Sequence, residues 1–375
     1  METFLFGDPR FLSGGANFNC EINYNYAPPV VEVKDIVTTE YLLQPRFGSL
    51  TLPDRIKAAG QQVHARKSGY HHRPPGINLF LRRNEWPSVG VELETEALCK
   101  DIESAENLQN DLVSNWFHME RDGSLDDENN GEYGFEIITE PLPPRVYRNQ
   151  ETWAGLQNIL TPWLGSYGFR NCGLHVHVGL EQFEHCETLP LRNAADRRRI
   201  GKYLSAFVYY CLLNPSFVDR VVLRKNGAWS EACANDEFLR HACEASDGKI
   251  TAADAVDIVV GELTRIEWAS RANRQAERIG SDDKAYELTR ELIGFSNHGV
   301  EINCDHPYTV EFRRGKGTIN SISVHRTVEL MSLVVRYAWK MARNPGMGVS
   351  QSDVLRFIAE NTTSRALKAM AEKEM

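Results

Sequence analysis

Four short segments alternate charged and apolar side chains at a period of two: "VGVELETE" from residue 89, "EYGFEIITE" from 132, "GLHVHVG" from 173 and "YTVEFRRG" from 308. A helix, with its period of 3.6, would scatter these charges around its surface. An extended chain puts residues i and i+2 on one side and their neighbours on the other. The pattern therefore predicts strands over 88–96, 133–139, 173–180 and 308–314. Each has one charged and one apolar face.

The stretches between them read as helices over 101–114, 150–166, 190–213, 251–268, 281–292 and 320–342, with a last helix from about 352 to 372. Strands separated by long, unequal insertions predict an α+β fold and not a regular βαβ alternation. Residues 1–85 differ in texture. "NFNCEINYNYAPPVVEV" and "KSGYHHRPPGINLF" are punctuated by Asn, Tyr, Pro and Gly and read as an N-terminal extension of short strands and loops. Its His64, His71 and His72 lack partner cysteines at zinc spacing. A main domain over 86–345 and a helical tail over 346–375 complete the expected division. The apolar residues of "SISVHRTVELMSLVVRYAW" recur at helical spacing, which predicts a helix packed on the back of the sheet. "RNAADRRR", 192–199, reads as surface.

Acidic residues outnumber Lys and Arg, 51 against 42, for a net charge of −9. That balance gives no general pull toward nucleic acid or anionic lipid. No segment approaches eighteen uninterrupted apolar residues, and the amino terminus lacks a basic start leading into an apolar run. The expectation is a cytoplasmic protein with neither a membrane nor a nucleic-acid partner. Eight cysteines are dispersed without a CxxC pair, the pattern of reduced, buried thiols. Cys172 and Cys186 flank the histidine segment, so a ligand or nucleophile role stands beside the structural one.

The strand alternation assigns faces. Glu92 and Glu94 share one, as do His175 and His177, and Glu311 with Arg313. Glu132, Glu136 and Glu140, four apart, share another if their segment is extended. If these strands are neighbours, the acids converge, and so many carboxylates do not ionise side by side without cations. Carboxylate dominating over imidazole, with no thiolate at ligand spacing, points to Mg²⁺ or Mn²⁺. There is no GxSxG, GxGxxG or HExxH motif. "GKGT", 315–318, lacks the upstream glycine of a phosphate loop and reads as a turn whose Lys316 helps hold anions.

Taken together, the motifs carry a family resemblance. "GLHVHVG" resembles the Gly-x-His-x-His strand of glutamine synthetases and the His-containing strand of glutamate–cysteine ligases. "GVELETE" is similar to their first metal-binding Glu-x-Glu strand, "EYGFEIITEP" to an acidic stretch of the ligases, and "VEFRRGKGTIN" to their late Glu-x-Arg strand. With "DGSL" at 122–125 between the first two acidic strands, residues 86–342 resemble the amidoligase family, a branch of the carboxylate–amine ligases.

The resemblance implies a curved antiparallel sheet of the glutamine synthetase kind, with helices on its convex face. It implies an ATP-dependent ligase with Mg²⁺ ions between nucleotide phosphates and protein acids. By motif position Glu92, Glu94, Glu132, Glu136, His175 and Glu311 would be metal ligands, with Glu140 the alternative to Glu132. His177 would contact phosphate or ATP, and Arg313 would face the transferred phosphoryl group or the substrate carboxylate, with Arg314 and Lys316 helping to stabilise the phosphoryl oxygens. Asp122 would bind the incoming amine, or is only part of a turn. Arg271, Arg274 and Arg278 share a helix face that either reaches triphosphate or is solvated. The substrates would be an amino acid, peptide or related small molecule. Three other readings stay open: a guanidino phosphotransferase of the same fold, a metal hydrolase that needs no nucleotide, and a non-catalytic binding protein. Neither substrate identity nor oligomeric state is legible.

Overall fold

A computed structural model describes residues 3–5, 80–82, 86–99, 117–121, 133–139, 141–161, 172–189, 193–224, 250–261, 263–264, 301–304 and 306–375. The expected helices at 101–114 and 281–292 lie outside the described residues. Two short strands, β1 (Thr3–Leu5) and β2 (Phe80–Arg82), pair antiparallel with Thr3 opposite Arg82.

The main sheet is built from β3 (Val89–Cys99), β4 (Phe117–Arg121), β5 (Tyr133–Thr139), β6 (Gly173–Gly179), β8 (Ile302–Asn303) and β9 (Thr309–Lys316). Their hydrogen-bonded order is β4-β5-β3-β6-β9-β8. All four strands predicted from alternation are present. The sheet is open and antiparallel and is accompanied by helices, so the chain is mixed α and β as expected. It divides into two compact units, residues 1–177 with 315–329 and residues 178–314 with 330–375.

In the first unit, Val89, Val91, Leu93 and Thr95 of β3 are buried, and Glu92 and Glu94 alternate with them. β5 runs antiparallel to β3 with Glu92 opposite Ile138 and Glu94 opposite Glu136, and a register shift follows between Thr95 and Cys99. Val91 N–H donates to Thr139 Oγ1 at 2.9 Å. β4 extends this ladder with Glu120 opposite Glu136. Two helices follow, α1 (Pro144–Tyr147) and α2 (Gln150–Leu160), the second capped by Asn149, whose side chain accepts from Glu151 N–H. Trp153 of α2 packs on Phe117 with ring centroids 6.4 Å apart and donates its indole N–H to Tyr147 O at 2.8 Å.

The tail of β9 lies hard against β6. Gly317 N–H donates to Cys172 O at 2.9 Å. A Cβ on Gly315 would stand 2.5 Å from Leu174 O, and one on Gly317 2.6 Å from Cys172 Cβ. Only glycine permits that approach. This corrects the turn expected at "GKGT": residues 315 and 316 continue the strand, and the glycines serve interstrand contact.

In the second unit, Leu180 N–H donates to Tyr308 O at 3.0 Å, and β8 pairs with β9 through Ile302 opposite Phe312 and Asn303 opposite Glu311. Its helices are α3 (Glu181–Glu184), α4 (Ala194–Cys211) and α5 (Pro215–Val222), with a further helical stretch over 252–261. Phe183 fills the space over Gly201, where a Cβ would meet its ring at 2.6 Å. The strand β7 (Ile250–Thr251) pairs with β10 (Gly348–Val349). The expectation that 192–199 is surface fails at Arg198, which is buried.

The helix α6 (Ser321–Arg343) matches its predicted span and is buried along most of its length. Within the first unit Ser321 N–H donates to Gln157 Oε1 of α2. Within the second, Trp339 meets Phe183 edge-on with centroids 5.5 Å apart. The single terminal helix expected over 352–372 is two, α7 (Gln351–Asn361) and α8 (Arg365–Glu374). Thr362 is extended, and Ser364 caps α8 by accepting from Leu367 N–H. Among the described residues no helix is long and apolar enough to cross a membrane.

Candidate functional site

The first unit concentrates acid and imidazole on one face of β3 and β6. His175 and His177 are 5% and 4% exposed, because β6 is buried on both sides and its alternation leaves the imidazoles opposite Leu174, Val176 and Val178. His175 Nδ1 stands 3.4 Å from Glu92 Oε2 and its Nε2 3.4 Å from Glu94 Oε1. His177 Nε2 is 3.2 Å from Glu92 Oε1. Glu94 also accepts the backbone N–H of Gly173. A Cβ at Gly173 would stand 2.8 Å from His175 Nε2 and 3.1 Å from Glu94 Oε2, so glycine leaves room for the imidazole.

Electrostatics follow from this packing. Burial by itself would raise the Glu92 carboxyl, but the charge of His177 and hydrogen bonds from His175 and His177 hold it well below the usual carboxylate range. Both ring nitrogens of His175 face carboxylates, and both donate only in the imidazolium form. Glu136 lies directly opposite Glu94 and so shares its face.

In the second unit β9 carries a buried acid among cationic and polar partners. Glu311, 1% exposed, accepts from Arg313 Nη1 on one oxygen. On the other it accepts from Asn303 Nδ2 at 2.9 Å, with His306 Nε2 at 3.1 Å. Arg313 shares this face by the i, i+2 rule. Arg314 does not. It is buried beside Val310 and Phe312 on the opposite face, pairs with Asp219, and stands 3.2 Å from Glu301. Burial and then Glu301 push the neighbouring Tyr209 hydroxyl far up. The phosphoryl contact expected of Arg314 is thus replaced by a buried ion network. Lys316 is exposed at the end of β9.

Of the residues predicted from sequence, Glu92, Glu94, His175 and His177 are brought together, and Glu311 pairs with Arg313. Asp122, Glu132, Glu140, Arg271, Arg274 and Arg278 lie outside the described residues. Cys172 and Cys186 are buried, and Cys186 Sγ lies 3.1 Å from Thr188 Oγ1, an ordinary structural setting. Sequence reasoning missed His306, Asn303 and the Glu120 position. A signal for the first two existed: "EINCDHPYTVEF" is two alternating runs around a Pro-containing turn, which reads as a hairpin.

The described residues include acid and imidazole groups, Glu92 and His175 among them, of a kind that could hold a metal ion. Carboxylate oxygens of Glu92 and Glu94 lie within 3.4 Å of imidazole nitrogens, and mixed oxygen and nitrogen donors suit Mn²⁺ as well as Mg²⁺. A scan against protein-family models and a search of the curated proteins both find no match.

Proposed function

We propose that the protein is an ATP-dependent carboxylate–amine ligase of the amidoligase kind, with a curved sheet like that of glutamine synthetase. It would form an amide or peptide bond between small amino-acid-derived substrates through an acyl phosphate. The observation that carries this reading is the Glu92–His175–Glu94 arrangement, two carboxylates on one strand gripping an imidazole of the next.

Glu92, Glu94, His175 and Glu136 would hold Mg²⁺ in the first unit, and Glu311 in the second. When bound, the cation would neutralise phosphate charge and orient transfer. The chain's own groups do the rest. A carboxylate is a poor electrophile because its leaving group would be oxide. Phosphorylation by ATP releases ADP and gives an acyl phosphate, which an amine attacks with loss of phosphate. No activated Ser or Cys is required, only positioning and charge stabilisation.

Arg313, held in plane by Glu311, presents its remaining guanidinium donors as a fork suited to phosphoryl oxygens. His177, anchored through Nε2 to Glu92, would donate to phosphate. Arg314 has no part in this proposal, because it is committed to Asp219 and Glu301.

The test is incubation with ATP, Mg²⁺ and pooled amino acids and peptides, following ADP, AMP and phosphate together. ADP and phosphate released in step with a joined product support the reading. AMP as the nucleotide product contradicts it, and ADP with a phosphorylated guanidine would make the protein a phosphotransferase.

A further inference from the structure

α4 buries two cations one helical turn apart, Arg198 and Lys202, 7% and 3% exposed. Burial of an ammonium is costly unless it is hydrogen-bonded. Lys202 Nζ donates to Cys304 O at 2.9 Å and also to His306 O, so two carbonyls of one short segment converge on a single tethered cation. Arg198 Nε donates to Pro307 O at 3.1 Å, and its guanidinium lies 4.2 Å from the centre of the Tyr308 ring. Its Nη1 donates to Glu184 of α3.

Tyr308 O in turn accepts from Leu180 N–H. Arg198 therefore ties the end of β6 to the start of β9, the strands that carry His175 and Glu311. His306, whose own carbonyl Lys202 holds, faces Glu311 Oε2 with its Nε2 at 3.1 Å.

We propose that Arg198 and Lys202 are positioning residues that clamp the segment of Cys304 and 306–308 so that His306 stands beside Glu311 as a further ligand for the divalent cation Glu311 would hold. The ligand role rests on the function proposed above; the clamp does not. Backbone carbonyls specify no side chain, so the clamp fixes the path of the chain from which the imidazole reaches Glu311.

Two readouts on the full chain test this. In the metal-free protein, the His306 imidazole NMR signals, assigned with His306→Ala, should move toward those of an exposed imidazole in Lys202→Met and in Arg198→Lys. The second variant keeps the cation and carries the test if the first does not fold. Unmoved signals in folded variants overturn the clamp.

With Mn²⁺ as probe, His306→Ala and each clamp variant should weaken binding about tenfold or more, as loss of supporting groups around a metal does. Glu311→Gln should weaken it further. If Glu311→Gln weakens binding and His306→Ala does not, the ligand role of His306 falls while the function stands. If Glu311→Gln leaves binding unchanged, both the ligand role and the placement of a cation at Glu311 fall.

Discussion

Glu94 and Glu136 are direct partners across β3 and β5, two acids on one face at the closest lateral spacing a sheet offers. Like charges so placed destabilise by up to about 1 kcal/mol. Glu94 gains its compensation from His175 and the Gly173 N–H.

Replacing Glu136 by Gln removes this repulsion. The thermal midpoint of the metal-free protein should stay level or rise by a few degrees, while ATP-dependent turnover is lost. Calorimetry and the ADP assay check both halves. A lowered midpoint or full activity in Glu136→Gln would take this residue out of the site.

The depressed Glu92 carboxyl makes a pH prediction. Its folded form binds its proton less readily than the unfolded form, so it contributes stability that is fully present above about pH 4.3, the ordinary carboxylate value, and is lost as pH falls through the lower folded value. Stability of wild type relative to Glu92→Gln should therefore shrink as pH falls below about 4. Urea unfolding across that range measures it. A gap that persists unchanged into strong acid would show that the His177 and His175 interactions do not depress this group.

His325 gives a window nearer neutrality. It is buried, with Nδ1 3.2 Å from Gln150 Oε1 and Nε2 3.1 Å from Arg148 O. Burial lowers its pKa, partly offset by Glu329 and the Arg148 carbonyl. The folded state thus prefers neutral imidazole, so stability is full above about pH 6.5 and declines as pH falls from there toward the folded value. Denaturant midpoints at pH 8, 6.5 and 5 should fall more steeply in wild type than in His325→Gln; equal slopes contradict this.

Two glycines should separate stability from site function. Gly315→Ala drives a Cβ against the Leu174 backbone, which cannot yield, and should destabilise by about 1–3 kcal/mol. Gly173→Ala meets the ends of the His175 and Glu94 side chains, which can move. It should cost less stability and more cation affinity. Circular dichroism with Mn²⁺ titration distinguishes them, and the reverse ranking would contradict the geometry.

Much of the sheet was legible because one face is charged and the other apolar, so the period of two survives in β3, β5, β6 and β9. β4 was hidden by its length: "FHMER" alternates for only five residues, too few to stand out. Its register opposite β5 is a tertiary fact. The break between α7 and α8 was written in "NTTS", two β-branched residues and a capping serine, but the apolar periodicity on either side masked it.

Within the site, strand alternation told which acids share a face, not what each side chain touches. Alternation puts Arg313 and Arg314 on opposite faces of β9 but does not say what each meets. The alternation that exposes one to Glu311 sends the other into a buried network with Asp219, nearly a hundred residues away. Arg198 read as a surface charge because the Pro307 carbonyl and the Tyr308 ring that it meets belong to a distant segment, which no residue pattern records.

The central claim is that the Glu92, Glu94 and His175 side chains hold a divalent cation. Pulsed electron paramagnetic resonance of the Mn²⁺-loaded protein addresses it directly, because a bound imidazole nitrogen couples to the metal spin. The account predicts a nitrogen coupling that disappears in His175→Ala, with binding itself sharply weakened in Glu92→Gln. Mn²⁺ that shows only water ligands, or a coupling indifferent to His175, would contradict it.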